Sequence, residues 1–185
     1  MARDAKLLAM SSLADRNARL AAARGDLLAL RAAIDEGEPW PLSDNFGTEP
    51  EASWGPRETI AHVQEMLPFW QGEIERVLAG QPPVAGSEPA FGRVAADELR
   101  LAVIERDRTL PLQELFDRID AGLERFVRRL GELRDDDLEA TGVHPRLGPM
   151  TVGQIVDRFV VGHLEEHVDQ LREILGRAAG ATSGA

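Results

Sequence analysis

Two histidines spaced four apart, His163 and His167, stand in the stretch Met150 to Leu175, MTVGQIVDRFVVGHLEEHVDQLREIL, and His62 is a third among four histidines in the chain. A spacing of four puts two side chains one turn apart on the same helix face, where both rings can reach one metal ion. For a single ring, a core histidine bonded to carbonyls and water is the simpler account. Two stacked imidazoles on an apolar stripe are harder to satisfy, because each unpaired buried polar group costs about 1–3 kcal/mol. Three neutral imidazoles would leave a divalent ion its full charge and open positions, as in reactive rather than closed structural sites. Zinc, nickel, iron(II) and cobalt all accept such donors, with zinc or nickel expected. Water bound there would be acidified to a pKa of about 7 and a thiol would lose its proton outright, so either becomes a nucleophile.

The elements that must position these rings read as helices. Thr151 with Gln154 makes a capping box, and Met150 with Ile155 stands where a hydrophobic staple would form. Val152, Val156, Phe159, Val160, Leu171 and Ile174 then recur at helical steps, with His163 and His167 on the same stripe. A second helix opens at Trp54-Gly55-Pro56-Arg57-Glu58, with Gly55 at the cap, Pro56 at the first position and Glu58 in the first turn. Ile60, Val63, Leu67, Trp70, Ile74 and Val77 form its apolar face, and Pro68 should kink it. His62 lies about 110° from the centre of that face, at its edge, where it can look into a bundle.

An Ala- and Leu-rich helix over about Asp4 to Asp35 carries Leu13, Leu20, Leu27 and Ile34 seven apart, and another runs from about Pro111 to Leu133. Ala95 to Arg106 reads as a short helix, and nothing reads as a strand by alternation. The connections Gly37 to Gly55, Gly80 to Gly92 and Arg134 to Pro149 are long, so parallel as well as antiparallel neighbours are open. The expected architecture is all-α, a four-helix bundle forming one domain over residues 1–178, with a disordered small-residue tail at 179–185. His144, beside Pro145, reads as a surface turn residue near the entrance to the site, and Trp54, Trp70 and Phe159 as core or as the apolar wall of a substrate cavity.

Composition bounds the chemistry. The chain of 185 residues has no cysteine, hence no disulfide, thiolate ligand or cysteine nucleophile, and no tyrosine. A formal charge of −11 argues against nucleic acid or anionic membrane as partner. No apolar run reaches signal-peptide or membrane-spanning length, which places the protein in the cytoplasm. Lys6 is the only lysine among many arginines in an Ala- and Gly-rich background, a pattern of GC-rich bacterial genomes.

Local motifs divide. His163-Leu164-Glu165-Glu166-His167 fits H-x-x-E-H literally, but too little chain follows for the distant third ligand that such proteases use. The zincin order fails because Leu164 stands where its glutamate must be, and neither His62 nor His167 has the glutamate three residues before it that a diiron site needs. Glu166 is the candidate base or outer partner, against the plainer reading of a solvated acid.

Trp54-x-x-x-Glu58-x-x-x-His62 opening the second helix, and Gly148-x-x-Thr151 preceding His163-x-x-x-His167, together resemble the DinB/YfiT-like superfamily of metal-binding four-helix bundles. That family includes bacterial thiol S-transferases and mycothiol-dependent maleylpyruvate isomerase. The usual Trp-Ser opening is Trp54-Gly55 here, which changes a cap and leaves the ligands intact. The resemblance implies His62, His163 and His167 as metal ligands. It also implies a metal-assisted transfer or isomerisation in which a low-molecular-weight thiol, of mycothiol or bacillithiol type, meets an electrophilic substrate. Two other classes fit the residues: a non-enzymatic metal-binding stress-response bundle, alone or as a homodimer, and a hydrolase working through bound hydroxide.

Overall fold

The computed structural model describes residues 12–80 and 89–183, with side chains through Gly180. It is predominantly helical. In chain order come α1 (Leu13–Ala29), α2 (Arg31–Glu36), a 3-10 turn (Glu51–Ser53), α3 (Pro56–Leu78), α4 (Glu98–Asp107) and α5 (Leu112–Glu132). A second 3-10 turn (Asp135–Glu139) leads into β1 (Thr141–His144) and β2 (Gly148–Thr151). The last helical run follows without a break as α6 (Val152–Ile155), a π-helical segment (Val156–Val161) and α7 (Gly162–Ser183).

Cross-helix pairs fix how these helices lie. On α1, Arg16, Arg19 and Asp26 pair with Asp157, Glu165 and Arg172 in turn, so α1 runs parallel to the last helical run. On α3, Arg57 donates to the Leu110 carbonyl and Glu75 accepts from Arg129, so α3 and α5 are also parallel. Arg24 pairs with Asp120 and Arg31 with Asp117, which sets α1 antiparallel to α5. Trp70 stacks on Phe159 while His62 meets His163 and His167, so α3 is antiparallel to the last run. The four helices thus close a ring of neighbours around one apolar core, into which Leu20, Met66, Phe116 and Leu164 are fully buried. Of the long connections, the one from α3 to α5 joins parallel neighbours, which a tight turn cannot do, and it carries α4.

Several expectations are met. The seven-residue seam of α1 and α2 buries Leu20, Leu27 and Ile34 completely, across a break at Leu30. Thr151 accepts from the Gln154 amide at 3.2 Å while Gln154 Oε1 accepts from the Thr151 amide at 2.9 Å. Others are corrected. Among the described residues the first helix begins at Leu13 behind a Ser12–Asp15 capping box, and residues 4–11 of the expected helix lie outside them, as do 81–88 of the Gly80 to Gly92 connection. Helix α3 does not open at Pro68, the other outcome expected of a proline there, but continues through it, and that residue faces solvent, where the missing main-chain bond costs least. The last helix continues to Ser183 instead of giving way to disorder after Ala178.

The expectation of no strand also fails. Thr141–His144 pairs antiparallel with Gly148–Thr151, in the register Thr141↔Thr151 to His144↔Gly148. Four-residue strands containing Gly142 and Pro149 show no apolar–polar alternation in the sequence, because the buried positions of β1 are Gly142 and His144, not apolar side chains. Nδ1 of His144 accepts the Arg146 and Leu147 amides at 3.2 and 3.3 Å, and Gly148 takes φ +76°. A Cβ at Gly142 would come within 2.7 Å of Val77 and 2.8 Å of Phe91, so only glycine lets this strand lie on α3. No helix among the described residues is long and apolar enough to cross a membrane.

Glu58 ties the first long connection to this frame. Fully buried, its Oε1 accepts from the Ser43 amide at 2.9 Å and from Arg108 Nη1 at 2.8 Å, and that Nη1 also donates to the Ser43 carbonyl. Removing one partner of a buried pair strands the other charge. Glu58→Ala is therefore expected to lower unfolding free energy by about 3 kcal/mol in urea titrations; a change below about 0.5 kcal/mol would mean that Arg108 finds full compensation elsewhere.

Candidate metal centre

The three histidines meet. His62 Nε2 lies 2.9 Å from His163 Nε2, which lies 3.1 Å from His167 Nε2. Imidazole nitrogens on a tetrahedral zinc with bonds of ~2.05 Å would stand about 3.3 Å apart, so the rings need only tenths of an ångström to accept an ion. His62 and His167 are each 3% exposed, and the His163 side chain 24%, at the boundary of core and solvent. His62 comes from an edge of α3, yet it is buried because Trp54 packs edge-on against its ring at 5.6 Å and Arg100 of α4 covers its face.

The ring orientations are set from outside. Gln170 Nε2 donates to the Glu51 carbonyl at 2.8 Å, so its Oε1 is free to accept Nδ1–H of His167 at 3.0 Å. That tautomer leaves His167 Nε2 with a bare lone pair pointing into the cluster. One ring proton can serve at most one of the two short Nε2 pairs, so with His167 held by Gln170 the other nitrogen–nitrogen contact has no proton in it. A cation satisfies all three together, and the donor set fits a divalent ion. The outer nitrogens of the other rings face carboxylates, Glu65 at 3.7 Å from His62 Nδ1 and Glu166 at 3.6 Å from His163 Nδ1. Each ring thus has its outer partner three residues on in its own helix, at Glu65, Glu166 and Gln170.

A π-helical segment aims the pair on the last helix. The Gly162 amide donates to the Asp157 carbonyl, five residues back, and a Cβ on Gly162 would stand 2.8 Å from that oxygen. The extra residue in this turn moves the buried stripe from Val152, Val156 and Val160 onto Val161, Leu164, Val168 and Leu171. His167 stays inside and His163 comes to the rim. The Asp157 carboxylate is gripped by Arg16 of α1 at 3.0 and 2.6 Å, which anchors the segment.

His163 and Glu166 line a cavity of about 730 Å³ whose wall includes Leu147, Met150, Phe159 and Arg158. Phe159 lies between Trp70, at 4.3 Å between ring centres, and His144, at 5.3 Å. His144 is corrected from a surface turn residue to a buried one, 5% exposed, because the hairpin amides and Phe159 enclose it. Trp54 forms no part of that wall; it packs with Ala61 and Ile104 beside the cluster. Glu166 stands on the outer side of His163 with 79% of its side chain exposed, away from the converging nitrogens.

Sequence reasoning missed Glu51, whose Oε2 is 4.0 Å from His163 Nε2 and which joins the histidines in a set of donor atoms all within 4.8 Å. Its only signal was an acidic residue in a long connection shortly before the helix that carries His62. Arg100 and Gln170 were also missed. The histidine-x-x-carboxylate or amide pattern at His62, His163 and His167 would have pointed to the last of these.

Burial holds all three rings neutral. It lowers the pKa of His62 well below 6.5, helped by the charges of His167 and Arg100; it lowers that of His163, and brings His167 to about 4. The folded state then binds fewer protons than the unfolded chain, so this stability is present above about pH 6.5 and is lost as pH falls toward about 4. The melting temperature of metal-free protein should drop across that window, and His167→Gln should reduce the slope by one proton's worth. An unchanged slope in the variant would show that His167 titrates normally.

Among known proteins, a family model described as the DinB superfamily matches residues 19–171, a span that includes all three histidines. No curated protein and no solved structure shows significant similarity to the chain. With matching over most of its length, the chain belongs to the DinB superfamily.

Proposed function

We propose that this protein is a divalent-metal-dependent transferase or isomerase that uses a low-molecular-weight thiol, of mycothiol or bacillithiol type, at His62, His163 and His167. The observation that carries the reading is the convergence of three Nε2 atoms beside a cavity that one of the three rings, His163, lines. In this reading α1, α3, α5 and the last helical run constitute a four-helix bundle of the DinB/YfiT type, working in the cytoplasm as a scaffold for the site. Bound to the three imidazoles, zinc or nickel would supply Lewis acidity, holding a thiol as its thiolate.

The residues around the site fit that role. The chain has no cysteine, so the reactive sulfur must come from a small molecule. Three neutral imidazoles contribute no charge of their own, so the ion would keep its attraction for an anionic ligand. Phe159, Met150 and Leu147 give an electrophile an apolar surface, and Arg158 gives it a cation. Gln170 holds the tautomer of His167, so no proton on that nitrogen need leave before an ion binds.

Elemental analysis of untagged protein should find about one divalent ion per chain, absent from the His163→Ala/His167→Ala variant. The loaded protein should then conjugate mycothiol or bacillithiol to a chromogenic aryl halide, and His163→Ala should abolish the reaction. Stoichiometric metal without thiol turnover would favour the non-enzymatic metal-binding reading, and turnover without thiol the hydrolase.

A further inference from the structure

Glu51 is held in a way that three histidine ligands do not require. Its main-chain carbonyl accepts from Gln170, the residue that orients His167. One carboxylate oxygen, Oε1, accepts from Arg100 Nη2, and Oε2 points toward His163 Nε2 at 4.0 Å. Arg100 is 5% exposed, and its Nη2 lies 3.4 Å from both ring nitrogens of His62, so the guanidinium covers the face of a ligand ring. The Ala95 carbonyl accepts from its Nη1 at 2.9 Å and fixes it there. A buried guanidinium this close to a divalent ion would repel it, and the Glu51 carboxylate has one oxygen on the guanidinium and the other toward the cluster.

We propose that Glu51 is an exchangeable fourth ligand, an inference that rests on the three histidines holding a divalent ion. Without thiol, Oε2 completes the donor set and Oε1 stays on Arg100, so the carboxylate lies between the two cations and offsets part of their repulsion. When a thiol enters, the carboxylate leaves the ion and remains paired with Arg100. The sulfur takes its place as thiolate, and the thiol proton goes to solvent. The charge at the ion is the same before and after, one anion having replaced another. Neutral water brings no charge, and hydroxide, which does, lacks the soft sulfur donor that such ions favour, so a thiolate displaces Glu51 more readily than either. Glu51 therefore selects thiol over hydroxide as the nucleophile.

Cobalt(II)-loaded protein tests this without an activity assay. Chelator competition reads cobalt affinity, the visible d–d bands read coordination, and titration with 2-mercaptoethanol reads thiol binding through the sulfur-to-cobalt charge-transfer band. Glu51→Gln, close in shape, is expected to weaken cobalt binding roughly 10- to 100-fold, to alter the d–d bands, and to raise the apparent thiol affinity because the competing carboxylate is gone, while water takes the open position when thiol is absent. Arg100→Gln, which leaves the displaced carboxylate without its counter-ion, should weaken thiol binding while cobalt is retained. Thermal melts of the cobalt-free variants establish that they fold, and Glu51→Ala repeats the test in a second context. Wild-type cobalt affinity, spectrum and thiol affinity in Glu51→Gln would overturn the proposal. If His163→Ala loses cobalt while Glu51→Gln does not change, Glu51 alone falls; if His163→Ala also keeps cobalt unchanged, the three-histidine reading falls with it.

Discussion

Three imidazole nitrogens meet at 2.9 and 3.1 Å, and the rings have too few protons between them to fill both contacts. That constraint organises the surroundings. Gln170 turns one ring so that its lone pair faces inward, Trp54 and Arg100 shut solvent away from another, and the π-helical segment brings the third to the rim of a cavity. Each is local chemistry with a distant effect. The π-turn needs glycine at position 162, where a side chain would meet the Asp157 carbonyl, and it needs Arg16 on a neighbouring helix to hold Asp157 in place.

The connections, which carry little regular structure, are fixed to the helices by buried ions. Glu58 with Arg108 holds the segment around Ser43, Arg100 holds Glu51, and Arg93 binds Glu65 while covering the Phe69 ring at 3.7 Å. The Gly92 amide donates to Glu73 at 2.6 Å. A strongly acidic chain can bury this many carboxylates because nearly every one has an arginine fork or main-chain amides to accept from. The helices give the site its distances and the ion pairs give it its cover.

Much of this was legible in the sequence and part was not, for definite reasons. The helices and His62, His163 and His167 follow from periodicity, caps and spacing, because those signals are local. The strands Thr141–His144 and Gly148–Thr151 left no period to read, and His144 is buried by contacts that form only once the hairpin lies on Phe159 and Phe91. The π-turn is invisible to a 3.6-residue count, which is why Val161, Leu164 and Val168 were not on the expected stripe. Glu51 and Arg100 belong to the site through tertiary placement alone, and no spacing within the chain connects them to the histidines.

His62 and His163 are separated by 101 positions, and the segments that carry them are antiparallel neighbours joined only through other elements. Contacts of such sequence separation close late, after local helices and nearer pairings have formed. An ion at this site therefore arrives at a nearly finished fold. It would do little to hasten folding and would act instead as a brake on opening, lengthening the lifetime of the native state rather than shortening the search for it.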